Sequence, residues 1–268
     1  MTGSRKAAWI IGAIVAFDLL FLALPTLVVL VASFTPGTII TFPPPGFSLR
    51  WYGNLLQARD FADALWRSLQ VGLVCTALSL PAGTLAALAL ARFRLRFATG
   101  LQIYLLLPFT IPLVVSGVGL MLVFGRLGWL GAVWPVGVAA CVINLPFMIW
   151  AVAASVNHLD PDLENAAANC GAPPVHSFFT VTLPAVAPGI LTGALIMFIL
   201  AINEFLVSLM LTDARTVTLP VLVYNAIRSI ITPDLAAVSV VYVILAVAAI
   251  WLLDRLVGLD IFLKSKQG

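Results

Sequence analysis

The chain alternates long apolar runs with short polar interruptions, and the runs share a common length. Crossing a hydrocarbon core of roughly 30 Å takes about 20 apolar residues. Runs of that kind fall at about 9–34, 66–90, 101–124, 133–154, 185–210 and 236–257. In lipid every backbone amide needs an internal partner, so runs of this length form helices rather than strands. The pattern predicts an all-α bundle of six membrane-spanning helices. In the third run, Pro108 and Pro112 stand on one face and each removes a helix hydrogen bond, which predicts a kink or local unwinding. Pro146 predicts a similar fault in the fourth run, where the neighbouring Asn144 is expected to hydrogen-bond across to another helix. Between the first two runs, residues 35–65 are drawn out by Pro43, Pro44, Pro45 and Gly46. Trp51, Tyr52 and Trp66 have the amphipathic rings that suit a membrane interface.

The polar stretch 155–184 carries the most local information. Asp160 is placed to cap a helix, Pro161 suits its first position, and Asp162 and Glu164 put negative charge at the positive end of its dipole. Gly171 is a natural stop. Between these limits Leu163, Ala166, Ala167 and Cys170 form one small apolar face. A second short helix is expected from near Pro174, carrying Val175, Phe178 and Phe179 ahead of Leu183, Pro184 and the fifth run. Helices this short are marginal in water, so they need a surface to pack on: their own bundle or a groove on another protein. The stretch holds Asp160, Asp162 and Glu164 and no Lys or Arg, which argues against an anionic lipid surface and for a protein groove.

Composition agrees with the pattern. At 62% hydrophobic and 9% charged over 268 residues, with mean hydropathy +1.11, the chain has too little polar surface to cover a soluble globule. Arg5 and Lys6 precede the first run, Arg92, Arg94 and Arg96 follow the second, and Arg255, Lys264 and Lys266 follow the last, which places both termini inside. The opposite side carries Arg50, Arg59, Arg67, Arg126, Arg215 and Arg228, so the density of charge near the run ends decides the orientation. The first run is read as a retained span, not a cleaved signal. No repeat or linker divides the chain, and residues 1–268 are expected to form one membrane domain.

The same residues exclude some chemistry. The net charge of +3 is scattered over run ends and leaves no nucleic-acid footprint. Cys75, Cys141 and Cys170 imply neither a disulfide framework nor a metal site. His158 and His176 both lie in the inner stretch, with no His-Glu-x-x-His and no Gly-x-x-x-x-Gly-Lys, so a membrane-embedded enzyme or an ATP-binding chain has little to build on. Glu204 stands six residues before the end of the fifth run, about 9 Å deep at 1.5 Å per residue. A carboxylate there faces either a water path, where it attracts a cationic solute, or a partner such as Arg67 or Arg228. Asn203 adjoins it and Ser208 follows one turn later. Asp18 lies about nine residues into the first run, where a charge is no cheaper, and Tyr224 and Asn225 are candidates to meet a solute or the protein that delivers it.

In the inner stretch, Asn165-Ala166-Ala167, Gly171 and Val181-Thr182-Leu183-Pro184 stand in the register of Glu-Ala-Ala, three residues, Gly, and a spacer ending Ile-x-Leu-Pro. This resembles the membrane subunits of binding-protein-dependent ABC importers, over about residues 9–258. The resemblance implies a type I importer permease bundle in the bacterial inner membrane, with a cytoplasmic coupling helix that inserts into a cleft on an ATPase. Asp160, Pro161, Leu163, Glu164, Asn165, Ala166, Ala167 and Gly171 are its expected docking residues. Asn165 occupies the usually acidic position, with Glu164 one residue and about 100° out of phase. The resemblance further implies a second permease subunit, identical or homologous, two ATP-binding subunits that hold ATP and Mg, and an external solute-binding protein. No cofactor is expected on this chain. Glu204-Phe205, Thr218-Leu219-Pro220, Tyr224 and Pro233-Asp234-Leu235-Ala236-Ala237 look most like the polyamine and organic-cation group, which would put Asn203, Glu204, Ser208 and Tyr224 on the substrate pathway. Aminophosphonate, iron(III) and opine permeases are the alternatives within the family, and a passive channel or an enzyme the alternatives outside it.

Overall fold

A computed structural model describes residues 2–93, 98–229 and 232–257, and the regular structure among them is all helical. Four helices among the described residues are long and apolar enough to cross a membrane alone: Trp9–Ala32, Arg59–Arg92, Trp134–Val156 and Pro174–Ile202. Leu113–Arg126 and Pro233–Ala248 are apolar but shorter. Arg94, Arg96, Lys264 and Lys266, used above for orientation, lie outside the described residues.

The helices group into two compact units. The first comprises Met1–Phe61 and Val223–Val247. Its helix α1 (Thr2–Ala32) exposes nearly its whole apolar length, Asp18 included, and buries only its end around Ala32 and Ser33. There the chain turns back into the short helix α2 (Arg50–Gln57). The Trp51 indole donates to the Thr35 carbonyl at 2.8 Å, the Tyr52 hydroxyl lies 2.6 Å from that of Ser33, and Phe47 stacks on Phe34. Two of the aromatic residues expected at the interface thus also fasten this turn.

The second unit is built on Ala62–Leu222. Its elements are α3 (Arg59–Arg92), α4 (Ala98–Thr110), α5 (Leu113–Arg126), α6 (Trp134–Val156), α7 (Pro161–Asn169), α8 (Pro174–Ser177), a π-turn (Phe178–Thr182), α9 (Leu183–Ile202) and α10 (Leu206–Leu211). Helix α6 is its core, burying Val136, Ala139, Ala140, Met148 and Val152, and α9 packs along it. The contact is close because Gly189 and Gly193 face α6. A Cβ at Gly189 would stand 2.7 Å from the Ala151 carbonyl oxygen, and one at Gly193 would stand 2.5 Å from the Met148 sulfur. Small residues four apart let helix backbones approach in this way. The chain then continues through α11 (Leu219–Ser229) to α12 (Pro233–Val257).

Two expected spans are interrupted. The third divides at Ile111 and Pro112 into α4 and α5, where Pro112 takes an extended ψ of 131° and a proline has no amide to continue the ladder. The fifth divides at Asn203–Phe205, between α9 and α10. Conversely, α6 runs through Pro146 unbroken, and Asn144 donates 3.0 Å to the Ala140 carbonyl of its own helix rather than to a neighbour. The second inner helix is likewise not separate. From Pro174 the chain passes through the π-turn directly into α9. Pro184 supplies the reason: it has no N–H for the Thr180 carbonyl, and its ring crowds that group, so the preceding turn widens.

Candidate functional site

Local bonds at both ends set the limits of α7. The Asp160 carboxylate accepts from the Asp162 amide at 2.9 Å, capping the start, and Pro161 fills the first position. At the other end Gly171 takes φ +82°, its amide donates to Ala168 at 2.9 Å, and the Ala172 amide donates to Ala167 at 3.0 Å. That pair of bonds is a Schellman stop, and it needs the left-handed conformation that glycine adopts without strain. The helix rests on α8 and the π-turn. Its apolar face is only partly used there. Leu163 is 49% exposed, Ala166 and Cys170 are exposed, and Ala167 is half-buried. Val175 and Phe179 nearby are also exposed.

Asn165, at the usually acidic position, and Glu164, one residue before it, behave differently. Asn165 is exposed and donates 3.3 Å to the Asp162 carboxylate on its own helix. Glu164 turns inward, and its carboxylate accepts from the Arg92 guanidinium and from the Thr182 hydroxyl. Arg92 also reaches Thr182 at 3.3 Å. Arg92 ends α3, and Thr182, buried, ends the π-turn. Sequence reasoning used Arg92 only as a positive charge and Thr182 only as a motif position.

Glu204 and Asn203 occupy the break in the fifth span. The Asn203 side chain is exposed and donates to the Ile199 carbonyl at 2.8 Å, while Glu204 is half-buried. A Glu204 carboxylate oxygen accepts from the Val207 amide at 3.0 Å, and the buried Ser208 hydroxyl donates to the Glu204 carbonyl at 2.7 Å. Side chains thus satisfy amides and carbonyls that a continuous helix would have paired. Ser208 closes the turn and does not face open space. Among the described residues the ion pairs are Arg92–Glu164 and Arg67–Asp63, the latter at 3.8 Å. Tyr224 belongs to the other unit, where the Arg228 guanidinium lies over its ring at 5.7 Å.

After α10 the chain turns at Asp213. Its carboxylate accepts from the Thr216 hydroxyl at 2.8 Å and from the amides of Arg215 and Thr216 at 2.9 and 3.0 Å. These bonds, the Thr216 hydroxyl foremost, hold its carboxyl below the ordinary range. The Ser68 hydroxyl accepts from the Leu219 amide at 2.8 Å and Arg67 donates to the Val217 carbonyl at 3.3 Å, tying this segment to α3.

The described residues thus form an apolar helical bundle that carries, between two of its long helices, a short helix capped at both ends and partly exposed. Residues 79–259 match the family described as binding-protein-dependent transport system inner membrane component. The chain belongs to that family: it is a multi-pass inner-membrane permease subunit of an ABC importer, and a non-catalytic one. It is 30% identical over 229 residues to the putrescine transport system permease protein PotI of Escherichia coli K12, covering 82% of this chain and 80% of that one. It is 28% identical over 257 residues to the putative 2-aminoethylphosphonate transport system permease protein PhnV of Salmonella typhimurium, covering 94% of each. Its fold is similar to that of a chain in the crystal structure of a bacterial ABC transporter involved in alginate import, with TM-score 0.70, 16% identity and coverage of 95% and 98%.

Proposed function

We propose that this subunit imports a small organic cation such as putrescine or spermidine, and that α7 is its coupling helix. The observation that carries the coupling role is the stripe Leu163, Ala166 and Cys170. The helix is fixed by a cap at each end, yet this stripe stays exposed, as a surface awaiting a protein groove does. Its occupant is a cytoplasmic ATP-binding subunit that holds ATP and Mg. Two permease subunits, identical or homologous, pair in the membrane above two such ATPases, and a solute-binding protein docks from outside. Both termini face the cytoplasm, and α4 with α5 together make the third of six crossings. ATP-driven closure below and the loaded binding protein above then favour the same arrangement of the helices, a population shift between outward-open and inward-open states.

The cation reading rests on Glu204, a half-buried carboxylate where the fifth span opens, beside the exposed Asn203. The likeness to a putrescine permease supports it. Tyr224 is assigned to the same path on the resemblance alone. The likeness to a 2-aminoethylphosphonate permease gives the second reading.

Purification from native membranes tests both parts. The ATP-binding subunits and a solute-binding protein are expected to co-purify, and Ala166→Arg is expected to lose the ATPase while remaining in the membrane. Titration of the recovered binding protein with putrescine is expected to saturate. Saturation by 2-aminoethylphosphonate instead would replace the cation reading, and an Ala166→Arg complex that keeps its ATPase would refute the docking face.

A further inference from the structure

We propose that Glu164, Arg92 and Thr182 form a clasp that sets the angle of α7 against the ends of α3 and α9. Glu164 is then a positioning residue inside this chain and not the contact offered to the ATPase. The inference rests on α7 being the coupling helix.

The geometry of three elements leads to it. Arg92 and Glu164 are 72 residues apart, and Arg92 and Thr182 are 90 apart, yet one carboxylate gathers both donors. Arg92 lies in the last turn of α3, Glu164 in the first turn of α7, and Thr182 directly before Leu183 opens α9. The rest of α7 gives it little other hold. Its connectors, 157–160 and 170–173, are short turns, and its main packing is against α8 and the π-turn. An isolated, partly exposed ion pair adds little to stability. A carboxylate shared by donors on two other elements fixes direction, because moving the helix breaks both bonds together.

The π-turn belongs to the same device. A widened turn adds one residue, which rotates what precedes it by about 100° relative to an unbroken α-helix. Thr182, the last residue of that turn, is buried with its hydroxyl on Glu164. A displacement of α7 by a docked partner therefore reaches α3 through this group, and α9 both through it and through the packing on α8 and the π-turn. The outward-facing Asn165 and the stripe of Leu163, Ala166 and Cys170 remain free for the partner.

The clasp can be tested in the complete complex with its ATP-binding subunits. Spin labels are placed on Asn169→Cys, exposed at the end of α7 and outside the docking stripe, and on Phe93→Cys, with Cys75, Cys141 and Cys170 replaced by alanine. The distance between the labels is expected to be single and narrow. Glu164→Gln and Arg92→Gln should each lose that narrow distance, and the double variant should be no broader than either single one. The reversed pair, Arg92→Glu with Glu164→Arg, should recover it. All these complexes should retain the ATPase. The clasp is overturned by an unchanged distribution in Glu164→Gln, by additive broadening in the double variant, or by a reversed pair no narrower than the singles. ATPase loss in Glu164→Gln with an unchanged distance would likewise make Glu164 a partner contact. Ala166→Arg separates the two levels, since retention of the ATPase in that variant refutes docking while the label distances still judge the clasp.

Discussion

A carboxylate inside an apolar bundle has to be hydrogen-bonded, neutralised or reached by water. Glu204 answers the first demand by accepting from the Val207 amide, and the pathway role proposed for it rests on the charge it keeps. Glu204→Gln keeps an acceptor for that amide and removes the charge. Putrescine uptake into proteoliposomes should therefore fall while assembly and ATPase recovery stay unchanged, and normal uptake would end the pathway role. Asp213 makes a prediction about pH. Its folded carboxyl is held below the unfolded value near 3.9, so the turn 212–218 gains stability that is fully present above that value. The gain is lost as pH falls through the folded value. Asp213→Asn should raise the exchange of the Arg215 and Thr216 amides at neutral pH, corrected for intrinsic rates. Wild-type exchange should rise only in strong acid, and equal protection in the two proteins would show the turn to be held by other means.

Elements whose ends are set by near neighbours were legible in the sequence. The Asp160 cap, Pro161 and the Gly171 stop act within two to five residues, and the structure gives α7 those limits. Breaks inside apolar runs were less so. Pro112 was a visible fault, but the break at Asn203–Phe205 was not, because the flanking leucines and isoleucines keep the run apolar on average. The polar Asn-Glu pair was read as chemistry when it also ends a helix. Pro146 shows the converse, since α6 is buried on most sides and its packing holds it together through the proline. The α6–α9 contact supplies a test at this scale. In Gly189→Val the side chain would meet the Ala151 carbonyl, a backbone atom that does not turn aside. Overpacking of this kind costs about 1–3 kcal/mol or more. The expected result is a lower thermal midpoint and reduced recovery of the folded subunit from detergent, with Gly189→Ala milder. A thermal midpoint equal to wild type would mean that the helices can separate at no cost.

For the whole molecule, the coupling role proposed for α7 makes transport depend on force passing from that helix to the spans, and Gly171 tests it from outside the clasp. Arginine at φ +82° is strained by about 1 kcal/mol, and relieving that strain extends or re-aims α7. Gly171→Arg should insert into the membrane normally but fail to couple ATP hydrolysis to uptake, and a variant that still couples would show the stop to be dispensable. The sequence alone determined that this is an apolar helical membrane protein, where its inner helix begins and ends, and which family it resembles. Those properties follow from hydropathy summed over 20 residues or from bonds between near neighbours, which need no fold to be read. Only the tertiary structure decided that Glu164 faces Arg92 and Thr182, that Asn165 faces outward, and that α9 lies close enough to α6 to require glycine. Each of these depends on segments far apart in sequence meeting in space, and no local pattern records which of them will meet.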